Sequence, residues 1–418
     1  MNRVVITGIG AVTPLGNSFK DSWERLHKGI SGISALPDRL HLSGITQGGQ
    51  LSGFDALQYL SVRECNRLDP FVHYAVAAAA MALCDAACKQ TSGFASILGT
   101  SRGGITTINA AAARLARSDN RQTKLSPYLM PATTASMAAS HISQKFLLRG
   151  HTLGISNACT SGGNAIGEAF RLIKHGYAAG ALAGGAEAPL CDLCIKGYGA
   201  SGALSKNSTA AASRPFSVGR DGFVLAEGAA VVVMEEYESA LRRGARIYAE
   251  VLGYGNTSDG MDMVRPDSAM QAAAMVSALR EAALHSEDID FVNAHATSTA
   301  IGDAVESEAI HKAFNDYAVG VPVTANKSMT GHMLSASAAF ETAATAMSIY
   351  TGLIPPSINI QALDTTCNLN VITKQLKIDK IRAGITNSFG FGGVNASVVL
   401  GGSTQLRIPP VKGQWNKN

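Results

Sequence analysis

Short apolar runs bounded by turn residues recur along the chain: RVVITGIG, FASILGTS, AGALAGGAEA, GAAVVVMEE, RIYAEVLGYG, IDFVNAHAT, VPVTANKS, AGITNSFGFGG and ASVVLGG. Each has the length of a buried strand, and most are rich in β-branched residues. Between several of them lie Ala-rich stretches with helical character, at 71–89, 160–176, 267–285, 303–314 and 335–351. Strands alternating with helices predict an α/β protein with buried sheets. The segment Ser335–Ile349 is apolar almost all round, which places that helix inside the fold.

A charged stretch, Glu235–Val251, interrupts the pattern. It reads as a helix ending at Gly244 that feeds a new strand, and so as a boundary. The expected division is 1–245, 246–402 and a tail, 403–418. The two large parts have similar content without a strict repeat. GISNACTSGGNA and GITNSFGFGGVNA look alike, a likeness that Gly-rich turn chemistry alone can produce.

Composition narrows the class. The chain has 418 residues, 46% hydrophobic and 16% charged, enough for a large core and too apolar for disorder. A net charge of +4 excludes general nucleic-acid binding and permits a local basic patch. The opening MNRVVITGIGAV is broken by Thr7, Gly8, Gly10, Thr13 and Pro14, so it reads as a first strand and not a signal peptide. Tyr74–Cys88 is too short to span a membrane and carries Asp85. A soluble cytoplasmic protein is expected. Seven cysteines, an odd number, suit a reducing compartment. Cys191 and Cys194 form a CxxC with no second pair, and Cys84 and Cys88 stand i, i+4 in an Ala-rich helix. Both pairs read as packing, and no metal site is expected.

Cys159 follows the strand-like TLGIS and precedes a helix from about Thr160 to Lys174. A helix start favours thiolate and lowers a thiol's pKa, and the small neighbours leave room for an acyl group. An inert buried thiol is the alternative. His295 in NAHATST and His332 in ANKSMTGHMLSASAAFE also stand where strands end, followed by hydroxyl residues or a helix. Singly, each histidine could be structural. The Gly-rich turn NSFGFGGVNA lacks the Lys-Ser/Thr of a phosphate loop and fits better as a source of oxyanion-binding N–H groups.

Taken together, RVVITGIGAVTPLG, GGITT, NACTSGGNAIGEA, GGAEA, SRPFSVGRDGFVLAEGAAVVVMEE, NAHATST, KSMTGHMLSASAAFE and NSFGFGGVNA resemble the β-ketoacyl-acyl-carrier-protein synthases, the elongating condensing enzymes of type II fatty acid and polyketide assembly. The resemblance runs from residue 1 to about 402 in the family order. It implies the thiolase fold: two pseudo-symmetric βαβαβαββ halves in a five-layered αβαβα arrangement, usually dimeric. It implies that Cys159 takes an acyl chain as a thioester and that His295 and His332 bond the malonyl thioester carbonyl. Lys327 and Glu341 would orient His332. The N–H groups of Cys159 and Phe391 would hold the tetrahedral oxyanion, with Phe391, flanked by Gly390 and Gly392, as a gate. Thr297, Thr299, Val264, Arg265 and Tyr198 would line the path of the pantetheine arm and acyl chain.

No tightly bound cofactor is implied, only the phosphopantetheine arm of an acyl carrier protein. That acidic partner would dock on basic residues, for which Arg63, Arg67, Arg121 and Lys124 are candidates. The partner subunit is expected to be a second copy, or a homologous chain-length-factor-like subunit. Four features depart from the common pattern: Ala296 after the histidine, where the methyl is expected only to trim the cavity; DMVRP (Asp262–Pro266); Gly202; and RGHTLGIS. They leave the acyl substrate open between fatty acid elongation and a specialised polyketide or polyene pathway. A chain-length factor would lack the nucleophile, a thiolase the two histidine motifs, and a Cys-His-Asn hydrolase the second histidine.

Overall fold

The computed structural model describes residues 1–117 and 123–403. The first half of the chain lays down β1 (Val4–Val12), α1 (Pro70–Ala86), β2 (Ala95–Gly99), β3 (Thr152–Ile155), α2 (Ser161–Lys174), β4 (Gly180–Glu187) and β5 (Gly228–Glu236). Helices such as Met137–Lys145 also lie between β2 and β3, and the second half repeats the succession as β6 (Ala249–Ser258), α3 (Ser268–Ala282), β7 (Phe291–Asn293), α4 (Ala300–Phe314), β8 (Pro322–Thr324), α5 (Ser335–Thr351), β9 (Ala383–Gly390) and β10 (Val394–Gly401).

Strand order repeats as well. The first half runs β1-β5-β4-β2-β3 across the sheet and the second β6-β10-β9-β7-β8, so each reads first, fifth, fourth, second, third. Polarity matches too. β2 is parallel to β3 and β4, while β5 is antiparallel to β4 and β1. β7 is parallel to β8 and β9, while β10 is antiparallel to β9 and β6. This is the duplicated thiolase fold. The halves join through a short antiparallel seam, Val4–Ile6 of β1 against Ala249–Val251 of β6.

Helices fill three layers. α1 covers β1 and β5 on one outer side, and α3 covers β6 and β10 on the other. Between them α2 and α5 touch strands of both halves. Small residues make the layers close. Gly8 and Gly10 of β1 lie where any Cβ would collide with the α1 backbone at Ala82 and Ala78. Gly253 and Gly255 of β6 lie in the same way under Ala278 and Ala274 of α3. The two G-x-G pairs thus mark the same close strand–helix approach in each half.

As its apolar surface requires, α5 is buried on nearly every side, with Phe340 fully buried and contributing about 1.5–3 kcal/mol. A Cβ on Gly162 would collide with the carbonyl of Ser335, so that glycine lets the two central helices approach at their N-termini. It is a packing requirement, not the room for substrate that the sequence suggested.

Some details differ from expectation. α1 stops at Ala86 because Ala87 turns into the left-handed region (φ +48°), so Cys88 lies beyond the helix and Cys84 is exposed. Cys191 and Cys194 are buried in an apolar cluster. The two look-alike segments occupy different places: one links β3 to α2, the other is the β9–β10 hairpin. Among the described residues no helix is long and apolar enough to cross a membrane. Arg121 and residues 404–418 lie outside the described residues.

Candidate active site

Cys159 follows β3 and His332 follows β8, so the two stand after the third strand of their respective halves, at the N-termini of the central helices. The fold's duplication is what brings them together. Ala158, just before the cysteine, has φ +47°, a conformation that disfavours a side chain. It is held there by two hydroxyls: Ser101 Oγ and Ser161 Oγ each donate to the Ala158 carbonyl at 2.6 Å. Ser161 Oγ also accepts from the N–H of Asn157 at 2.7 Å. The cysteine is therefore carried on a pinned, strained elbow.

His332 Nε2 lies 3.1 Å from Cys159 Sγ. Its backbone is clamped by the segment 224–226, donating to the Val224 carbonyl (2.7 Å) and accepting from the Ala226 N–H (3.0 Å). His295 meets His332 edge to face, ring centroids 5.3 Å apart. Phe223 packs on His332 and Phe389 on His295, which keeps both rings out of bulk water.

Burial, followed by the Lys327 charge, holds both histidines well below their ordinary pKa, so both rings are neutral around pH 7. Cys159 is partly exposed through the cavity, yet its apolar walls push the thiol up to about 12, against the pull of Lys327. The lowered thiol pKa expected from the helix start is not what the surroundings produce.

Lys327 Nζ donates to Glu341 Oε1 at 2.5 Å, and both side chains are 1% exposed. Burial raises the Glu341 carboxyl to about 7, offset in part by Lys327. Among the described residues this pair makes no hydrogen bond to either histidine; Lys327 bears on them through its charge.

Two acids that the motif reading passed over shape the His295 turn. Glu306 of α4 accepts the N–H of His295 (2.8 Å) and of Ala296 (2.6 Å). Asp303, one turn earlier, accepts the N–H of Ser298 (3.0 Å) and of Phe216 (2.8 Å). Their signal was an i, i+3 pair of acids in the first half of the helix that directly follows NAHATST; both are buried. They hold Ala296 at φ +26° and Ser298 at φ +70°. Ala296 therefore carries backbone strain as well as a methyl that faces the cavity.

A cavity of about 560 Å³ opens onto Cys159, His295 and His332. Thr297, Thr299, Val264, Arg265, Tyr198, Gly390 and Phe391 line it, while Lys327 and Glu341 lie behind it. Val264 is exposed at the mouth. Thr297 and Thr299 hydroxyls are 3.1 Å apart. Tyr198 Oη accepts from Arg102 Nε at 2.8 Å, and its ring sits 6.4 Å from that of Phe391. The β9–β10 turn passes close to the cysteine, since a Cβ on Gly390 would come 3.1 Å from the Cys159 nitrogen. Gly392 adopts φ +86° and donates to the Met263 carbonyl at 2.8 Å. The basic candidates lie elsewhere: Arg63 and Lys124 are exposed, and the Arg67 guanidinium covers the Tyr128 ring at 4.1 Å. A nucleophile beside two neutral imidazoles suits acyl transfer followed by stabilisation of a developing oxyanion.

Two family models match the chain: "Beta-ketoacyl synthase, N-terminal domain" over residues 1–240 and "Beta-ketoacyl synthase, C-terminal domain" over 248–361. The 3-oxoacyl-[acyl-carrier-protein] synthase 2 of Synechocystis sp. is 37% identical over 408 residues, covering 95% of this chain and 97% of that protein. Among solved structures, the ishigamide ketosynthase/chain length factor superposes with a TM-score of 0.90 at 31% identity, over 96% of this chain and 99% of that one. AntDE:AntF, a type II polyketide acyl-carrier protein in complex with its ketosynthase bound to the hexaketide, gives 0.86 at 31% identity over the same shares.

Proposed function

The chain belongs to the β-ketoacyl synthase family, and from that membership we propose that it condenses an acyl thioester formed on Cys159 with a malonyl-carrier protein, releasing CO₂. The observation that carries the reading is the Cys159 sulfur 3.1 Å from His332, with His295 beside it at the cavity wall.

Each step follows from the protonation states. His332, neutral, accepts the thiol proton as sulfur attacks the acyl-carrier thioester, and returns it to the departing pantetheine thiolate. Malonyl-carrier then enters. Its carboxylate leaves as CO₂, and the electron pair of the broken C–C bond becomes an enolate. Two neutral imidazole N–H groups in a site shielded from water stabilise the enolate oxygen, each worth about 3–4 kcal/mol in systems of this type. The enolate carbon attacks the Cys159 thioester, and the N–H groups of Cys159 and Phe391 receive the tetrahedral oxyanion. Collapse re-forms the carbonyl and expels the cysteine thiolate, which takes a proton from water, leaving hydroxide to the solvent. Lys327 lowers the cost of that transient negative charge. Phe391, on a turn given freedom by Gly392 (φ +86°), gates the nucleophile.

Thr297, Thr299, Val264, Arg265 and Tyr198 would hold the arm and acyl chain, and Arg63, Arg67 and Lys124 would receive an acidic carrier protein. Similarity to relatives named 3-oxoacyl-[acyl-carrier-protein] synthase 2 supports chain elongation in fatty acid synthesis. The similarity to polyketide ketosynthases supports a second reading, a ketosynthase subunit of a specialised type II polyketide or polyene pathway working with a chain-length-factor-like partner. A second copy of the chain as the partner subunit fits the first.

Cys159→Ala tests the chemistry. It should abolish condensation while leaving malonyl-thioester decarboxylation measurable, because both histidines remain. Condensation retained in that variant would overturn the proposal.

A further inference from the structure

Among the polar side chains of the cavity wall that the proposed chemistry does not use, one carries a buried oxygen without a partner. Gln271 sits in the first turns of α3, five residues beyond Pro266 at the mouth, and lines the cavity. It is 2% exposed, and its buried Oε1 has no hydrogen-bond partner. Leaving such a group unpaired is unfavourable, so a ligand that supplies the missing partner gains from it. Its neighbourhood is fixed from both sides. One turn on, Met275 Sδ lies 3.3 Å from Asn387 Nδ2, and that amide approaches Glu306. On the mouth side, the Asp267 N–H donates to Asp259 Oδ2, and Asp259 Oδ1 accepts from Asn395 Nδ2 at 2.6 Å. Asn395 and Asp259 are thus engaged with the protein, and the two threonine hydroxyls have each other.

We propose that Gln271 is a specificity residue that hydrogen-bonds an amide of the pantetheine arm, the one farther from the sulfur. A carboxamide both donates and accepts, which makes it the complement of a secondary amide, and a pantetheine arm carries two. Gln271 stands on the chain segment that follows Val264 and Arg265, both exposed at the mouth, whereas the sulfur at the end of the arm must reach Cys159. The amide it meets is therefore the distal one. The inference rests on the condensation proposed above.

The experiment compares malonyl-pantetheine, which has both amides, with malonyl-N-acetylcysteamine, which keeps only the amide near the sulfur. In Gln271→Leu, KM for malonyl-pantetheine should rise about tenfold with kcat little changed, the usual loss for one neutral hydrogen bond. KM for malonyl-N-acetylcysteamine should stay as in the unaltered protein. Equal changes with both thioesters, or no change with either, would overturn the assignment. Gln271→Ala serves as the second variant should leucine prevent folding, with the same two outcomes. If the unaltered protein condenses neither thioester nor the carrier-bound substrate, it is the proposed reaction that fails and not the role of Gln271.

Discussion

At Cys159 two influences oppose each other. The N-terminal end of α2 favours a thiolate by about 0.3–1 kcal/mol, whereas the apolar surroundings favour the thiol. The rise from the ordinary 9.0 to about 12 corresponds to about 4 kcal/mol, so burial wins. In the proposed mechanism the nucleophile rests as a thiol and His332 speeds its attack by taking the proton. Alkylation by iodoacetamide should accordingly become about tenfold faster per pH unit between pH 7 and 9, without levelling off. A plateau near pH 7 would mean that the thiolate is already formed at rest. The cysteine and both histidines were legible in the sequence because their motifs are long and specific. Glu306 and Asp303 were not, since they act on backbone N–H groups of the His295 turn and contact no part of a motif's chemistry. The strain at Ala296 was invisible for the same reason: only the turn that Glu306 imposes gives alanine a positive φ.

At the level of elements, the strands and the central helices were readable from apolar runs. The all-round apolar surface of α5 announced its place between the two halves of the sheet. The G-x-G pairs in β1 and β6 were present in the sequence, yet their meaning needs the partner helices, whose Ala78 and Ala82, or Ala274 and Ala278, pack onto them. Helix ends were less legible. Nothing in the Ala-rich run ending at Cys88 shows that Ala87 will turn left-handed and leave the cysteine outside α1. Sheet order was beyond the sequence altogether, because β1 pairs with strands more than 200 residues away that resemble its other possible partners.

Across the whole molecule, duplication explains the site. Two halves with one topology place the ends of their third strands together, so a cysteine from one half meets a histidine from the other. The carrier surface belongs to this scale as well. Arg63 and Arg67 lie outside the cavity, so charge reversal at both (Arg63→Glu with Arg67→Glu) should raise KM for carrier-bound substrate several-fold and leave small malonyl thioesters unaffected. An unchanged KM for the carrier would remove the docking assignment. We propose that Cys159 holds the acyl group, that His332 takes its thiol proton during acylation, and that both histidines then serve the malonyl half of the reaction. Mass spectrometry of the Cys159 peptide, after incubation with the acyl-loaded native carrier, tests it most directly. An acyl adduct on Cys159 is expected both in the unaltered protein and, formed more slowly, in His332→Ala, which should no longer decarboxylate malonyl-carrier. An unmodified Cys159 in the active unaltered protein, or an adduct on another residue, would contradict it.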